Sequence, residues 1–301
     1  MSSLALSSRL HLAEYWQLGK PRVVALIVFC ALAGMLLAPL PAHPTRLLPA
    51  LAGIALLATA AAAANCLFER DRDAQMRRTS QRPLVRGSLA PAGAAGYALL
   101  CLLAGSALLA LHGWLLLTLT LATAAAYSIV YTRWLKPASP QNIVIGGAAG
   151  AMPPLLGWVA ATGHLDPEAL SLFLIIYAWT PPHFWALALY RRDDYLRAGL
   201  PMLPVTHGPA FTRLSILLYS VLLLAISTMP FGLGLGNWLY LAGAILLGAR
   251  FLQLAWRLYS HSDDSDARVL FRFSIRYLGW LFALLLAEHW LIIMQVLPYK
   301  P

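Results

Sequence analysis

Charge is scarce in this sequence. Only 11% of its 301 residues are Asp, Glu, Lys or Arg, against roughly 25% in a soluble domain. There are 12 acidic residues and 22 basic ones, and only Lys20, Lys136 and Lys300 are lysines. Cysteine is nearly absent too. Cys30, Cys66 and Cys101 have no paired spacing and no CxxC, which argues against a disulfide framework and a structural zinc site. No polar stretch is long enough to enclose a core of its own, so no soluble accessory domain is expected. Met1–Leu18 is mixed and polar and lacks the pattern of a removable signal peptide.

What the chain has instead is apolar sequence. It is 60% hydrophobic, with a mean hydropathy of +0.68. Nine segments reach the roughly 20 apolar residues needed to span a bilayer: about 22–39, 47–68, 92–111, 113–133, 140–161, 168–190, 211–232, 238–257 and 274–297. Backbone groups in lipid must pair internally, so these are read as helices. The expectation is an all-α polytopic membrane protein of nine transmembrane helices around a central cavity, one domain over residues 1–301. Nine crossings put the termini on opposite sides. Of the 22 basic residues, only Arg46 and Lys300 fall on the side away from the N-terminus. The positive-inside rule therefore places the N-terminus in the cytoplasm of a bacterial inner membrane. The net charge of +10 is then a topology signal, which removes nucleic acid as a partner.

The remaining charge is concentrated. ANCLFERDRDAQMRRTSQRPLVRG (Ala64–Gly87) holds three acids and six arginines at the end of the second span. If the helix continues past the membrane edge, Asn65, Glu69 and Asp73 share one face at i, i+4, i+8. A second loop, WALALYRRDDYLRAGLPMLPVTHG (Trp185–Gly208), repeats this layout 121 positions later. Arg70 matches Arg191, Asp73 matches Asp194, Pro83 matches Pro204, Gly87 matches Gly208, and Glu69 matches Tyr190. This reads as an internal repeat whose two loops, about 65–91 and 185–210, face one cavity. Carboxylates among arginines at a membrane edge suit Mg²⁺ held jointly by protein and phosphate, with arginines on the remaining phosphate oxygens. The alternative for either loop alone is a set of solvated charges in local ion pairs.

NCLFERDRD resembles the N-x-x-x-D-x-x-x-D motif of the UbiA superfamily of intramembrane prenyltransferases, and MRRTSQRPLVRG resembles the family's sequence just C-terminal to that motif. Two longer stretches, Tyr131–Gly163 and Trp179–Gly208, are similar to the heme-farnesylating branch of that superfamily. The resemblance implies transfer of farnesyl from farnesyl diphosphate to a vinyl group of heme B, with Mg²⁺ as cofactor and a membrane-lipid setting. The alternative is a branch acting on a quinone precursor. It also implies a product used by heme–copper terminal oxidases, and makes heme A synthase or such an oxidase a candidate assembly partner. Glu69 stands where the family usually has Asp, and Tyr190 replaces the first acid of the second motif.

On this basis Asn65, Glu69 and Asp73 are expected to bind Mg²⁺ and diphosphate, with Asp194 and Asp193 at a second ion. Arg70, Arg78, Arg82, Lys136, Tyr190 and Arg191 are candidate substrate partners, for diphosphate or propionate. His183, inside the sixth span, is a candidate substrate-binding residue that could ligate iron, bond a propionate or make an interhelical hydrogen bond. Pro153–Pro154 and Pro181–Pro182 are expected to break their helices. Gly146, Gly147 and Gly150 suit close helix approach. Glu288 and His289 are read as snorkelling at the outer interface.

Overall fold

The computed structural model describes residues 12–39, 44–76, 79–261 and 263–294. Arg78 lies outside the described residues. Among those described, regular structure is helical, without strands. The long helices are α1 (Leu12–Leu18), α2 (Pro21–Leu36), α3 (Pro44–Phe68), α4 (Pro91–Ala110), α5 (Trp114–Ala138), α6 (Asn142–Thr162), α7 (Pro167–Tyr190), α8 (Gly208–Gly232), α9 (Trp238–His261) and α10 (Asp264–Ile293). Among the described residues, helices α3 to α10 are each long and apolar enough to cross a bilayer, and counting α1–α2, bent by 54°, as one span gives nine crossings. The chain is a multi-pass membrane protein of the expected all-α class.

Burial identifies the centre. In α6 and α7, 56% and 67% of the apolar window is inside the bundle, against 22–44% in the others. Helix α6 packs on α2 and α7, and α7 on α8 and α10; α3 pairs with α4, and α9 with α8 and α10. The remaining apolar surface, such as Leu99, Leu100 and Leu103 on α4, is exposed and faces lipid. The α2–α6 crossing is a backbone-to-backbone contact. A Cβ on Gly34 would sit 1.9 Å from the Pro154 carbonyl oxygen, and one on Gly157 would sit 1.8 Å from that of Ala31. With no hydrophobic drive between helices in lipid, such close approach is what holds them together.

Two expectations are corrected. The proline pairs do not break their helices: α6 runs through Pro153–Pro154 and α7 through Pro181–Pro182. All four prolines are buried in the bundle centre, where neighbouring helices hold a proline-containing helix together despite its missing N–H groups. Glu288 does not snorkel. Its buried carboxylate accepts from the backbone N–H groups of Asn237 (2.6 Å), Leu239 (3.0 Å) and Tyr240 (3.2 Å). It thereby caps the N-terminus of α9, whose first N–H groups have no helical partner.

The 121-residue repeat is visible in the backbone. After α3 come the single turns Arg70–Asp73 and Pro83–Arg86; after α7 come Arg192–Arg197 and Leu203–Thr206. Gly87 (φ 76°) and Gly208 (φ 81°) close the two loops in the left-handed region, a conformation that favours glycine. Alternating crossings bring the C-terminal ends of α3, α5, α7 and α9 to one face, so both loops open on the same side.

Candidate active site

Glu69 N–H donates to Asn65 O (3.0 Å) and Asp73 N–H to Glu69 O (2.8 Å), so helical geometry persists past the end of α3. Asn65, Glu69 and Asp73 stack on one face as the spacing predicts, and all three are buried. Each is met by a cation from elsewhere in the chain. Lys20 donates to Asn65 Oδ1, Lys136 pairs with Glu69 Oε1, and Arg82 pairs with Asp73 Oδ2. Two carboxylates thus face three cations.

The orientation of Asn65 is set by α5. Residues Ala126–Leu135 form a π-helix, the wider turn that frequently marks functional sites. In it, the Thr132 hydroxyl donates its one proton to the Tyr127 carbonyl (2.8 Å). Its oxygen is then an acceptor for Asn65 Nδ2 (2.9 Å). The amide is fixed with Oδ1 toward Lys20, whose Nζ also lies 3.5 Å from the Tyr127 hydroxyl. The same segment delivers Lys136 to Glu69.

Asp73 is held from several directions. The Thr79 hydroxyl donates to its backbone carbonyl (2.8 Å). Burial pushes its carboxyl above the usual carboxylate range, against the opposing pull of Arg82. Its Oδ1 is buried and accepts no hydrogen bond from the described residues. A buried, unpartnered carboxylate oxygen is costly, and here it lies on the face of two carboxylates and a carboxamide. That donor set is all oxygen. It suits a hard cation such as Mg²⁺, which takes one or two protein carboxylates and fills its other positions with phosphate and water. Among the described residues no three His, Cys, Asp or Glu side chains form a metal cluster by themselves.

The second loop forms its own cavity. It is lined by Tyr190, Arg191, Asp193, Asp194 and Arg197, with Arg268, Phe271 and Arg272 from α10, and it shares no lining residue with the small cavity beside Asp73 and Arg82. Asp194 accepts from Arg191 (3.3 Å) and from Arg197. Burial raises its carboxyl, but the bonds and charges of Arg197 and Arg191 together outweigh that and hold it below the usual range. Arg70 is exposed, and no ion pair joins it to the first cluster among the described residues.

His183 is buried in α7 between the Trp179 ring (4.2 Å between centroids) and the Phe271 ring (4.7 Å). His183 Nδ1 lies 2.6 Å from Ser274 Oγ, which also lies 2.7 Å from the Phe271 carbonyl oxygen. The ring is tied to α10 by the interhelical hydrogen bond raised from sequence. Gly150 has open space where a Cβ would be, whereas Gly146 and Gly147 abut Tyr131 and Thr180.

Sequence reading missed Lys20, Tyr127 and Thr132. Lys20 is the break between α1 and α2, with φ 52°, and its signal was visible: one of three lysines, just before Pro21. Nothing in the sequence marks Ala126–Leu135 as a π-helix.

The model of the UbiA prenyltransferase family matches residues 27–287. A protein of Thiobacillus denitrificans named protoheme IX farnesyltransferase is 57% identical over 92% of this chain and 94% of its own length. One of the same name from Aromatoleum aromaticum is 56% identical over 95% of each. Among solved structures, a digeranylgeranylglyceryl phosphate synthase superposes with a TM-score of 0.80 at 16% identity, covering 92% of this chain and 98% of that one. A UbiA homologue of Archaeoglobus fulgidus bound to DMAPP and Mg²⁺ gives 0.64 at 18% identity, covering 90% and 99%.

Proposed function

The chain belongs to the UbiA prenyltransferase family, and from that premise we propose that it transfers farnesyl from farnesyl diphosphate to a vinyl group of protoheme IX. A C–C bond forms to the terminal vinyl carbon, the C–O bond to diphosphate breaks, and water bonds to the other vinyl carbon as hydroxyl, its second proton leaving with the diphosphate. The products are heme O, with its hydroxyethylfarnesyl side chain, and diphosphate. The observation that carries this reading is the buried Asn65–Glu69–Asp73 face met by Lys20, Arg82 and Lys136.

An allylic diphosphate leaves when its developing charge is neutralised, which needs no protein nucleophile. Asn65, Glu69 and Asp73 would hold Mg²⁺, and Mg²⁺ supplies charge neutralisation to the departing diphosphate. The cations are placed for the same task. Lys136 and Arg82, which otherwise neutralise Glu69 and Asp73, reach oxygens of a bound diphosphate by exchanging one anion for another. Lys20 adds a third positive charge and orients Asn65. Thr132 and the π-helical backbone keep that amide from turning. The apolar bundle receives the farnesyl chain and excludes water from the allylic centre. We further propose a bacterial inner-membrane location with the N-terminus and both charged loops in the cytoplasm, the side from which farnesyl diphosphate and Mg²⁺ arrive.

The test is incubation of the purified, reconstituted protein with farnesyl diphosphate, protoheme and Mg²⁺, and then mass spectrometry of the extracted products. Heme O is the expected product. Absence of farnesylated heme, with prenylation of an added quinone precursor instead, overturns the assignment.

A further inference from the structure

The cavity between the end of α7 and the start of α10 has a volume of about 550 Å³, and two features set it apart from a metal site. The first is charge. Arg191, Arg197, Arg268 and Arg272 line it with only Asp193 and Asp194 as acids, a balance of four positive against two negative. Asp194 accepts from Arg191 and Arg197 through its two oxygens, and unlike Asp73 it is partly exposed and holds no buried, unpartnered oxygen, so here it braces the two arginines. The second is an aromatic wall. Phe271 meets Tyr190 edge-on (5.9 Å between centroids) and lies flat on His183, which in turn stacks on Trp179. The Arg268 guanidinium lies 5.8 Å from the centre of the Tyr190 ring. Guanidinium groups at the rim thus lead directly onto a ladder of flat rings running into the bundle centre.

We propose that this cavity binds the carboxylates of the acceptor: Arg268 and Arg272, aided by Arg191, hold the two propionates of protoheme while its ring lies along Phe271 and Tyr190. The inference rests on protoheme being the acceptor. Arg268 and Arg272 sit one helical turn apart on one face of α10, so each takes one carboxylate. Guanidinium forks match carboxylates in plane and charge, and a dianion offsets the excess of two positive charges. The two substrates then use different cavities, diphosphate at Asp73 and carboxylates at Arg268 and Arg272.

The test is a Soret-band titration of the full-length protein in nanodiscs, without farnesyl diphosphate, using protoheme and its dimethyl ester. The ester keeps the ring and removes both charges. Wild type should bind the ester at least about tenfold more weakly than the free acid. Arg268→Gln/Arg272→Gln should bind both macrocycles equally, at the weaker level. Arg268→Lys/Arg272→Lys should restore part of the preference, and the Gln variant's binding of both macrocycles at the wild-type ester level shows that it is folded. The KM for farnesyl diphosphate should stay within about threefold in the Gln variant. If heme O forms but wild type binds acid and ester alike, or if the Gln variant raises the KM for farnesyl diphosphate while keeping its preference for the acid, the carboxylate site is wrong. If wild type binds neither macrocycle and makes no farnesylated heme, the acceptor assignment fails and the proposal falls with it.

Discussion

Lys136 Nζ and Glu69 Oε1 form an ion pair across 67 residues of sequence, with both side chains largely buried. Removing one partner of a buried pair leaves the other uncompensated, at a cost of about 3 kcal/mol or more. Lys136→Met should therefore lower the melting temperature of the detergent-solubilised protein well below wild type. Lys136→Met/Glu69→Gln, which removes both charges, should recover most of that stability yet remain without turnover. Recovery of both stability and turnover would show that the pair is only structural.

Glu69 stands where the motif the sequence resembles has Asp, and it is held by Lys136 rather than left in water. Glu69→Asp keeps the charge and should retain heme O formation within about tenfold, roughly 1.4 kcal/mol in the barrier. Glu69→Gln keeps the shape without the charge and should lose at least about a hundredfold. Near-normal turnover in Glu69→Gln would remove Glu69 from the site.

The α2–α6 crossing predicts an asymmetry between glycines. Gly34→Ala places a methyl against the Pro154 backbone carbonyl, which cannot swing aside as a side chain can. It should destabilise the protein by about 1–3 kcal/mol or more, seen as lost monodisperse yield and a lower melting temperature. Gly150→Ala, with nothing within 4 Å, should melt as wild type does. Equal behaviour of the two would contradict the close crossing.

The fold was largely legible because lipid imposes a length and a composition on each crossing. Eight of the nine expected spans fall on the observed helices with ends that differ by at most five residues, as for 168–190 against Pro167–Tyr190; the ninth, 274–297, begins ten residues inside α10 (Asp264–Ile293). The spacing of Asn65, Glu69 and Asp73 was legible too, because one helical period sets it. The partners were legible only in part. Arg82 and Lys136 stood out as candidate substrate partners, but their pairing with Asp73 and Glu69, and the arrival of Lys20 at that face, come from tertiary packing, and the π-helix that positions Thr132 has no pattern in its residues. The proline pairs misled for a related reason. A proline's effect on a helix depends on what surrounds it, and Pro153 and Pro181 are enclosed by neighbouring helices. Glu288 looked like an interface residue because sequence shows depth along a helix but not which backbone N–H groups lie opposite.

Orientation rests on the basic residues. Reporter fusions after Ser88 and Gly208 should report the cytoplasm, and fusions after Gly163 and Gly236 the outside. Those four points lie in loops at alternate ends of the bundle, so a reversed pattern would put both charged loops on the wrong side for farnesyl diphosphate.

The proposed chemistry turns on Asp73 helping to bind and ionise the diphosphate. Asp73→Asn preserves the shape of the side chain and removes its charge from a buried face where Arg82 and an unpartnered Oδ1 meet. The decisive measurement is heme O formed per unit of folded, membrane-inserted protein over a Mg²⁺ titration, for wild type and Asp73→Asn. Wild type should show metal-dependent turnover, and Asp73→Asn should lose at least about a hundredfold at every Mg²⁺ concentration. Turnover in Asp73→Asn close to wild type, or full wild-type turnover in excess chelator, would contradict that role.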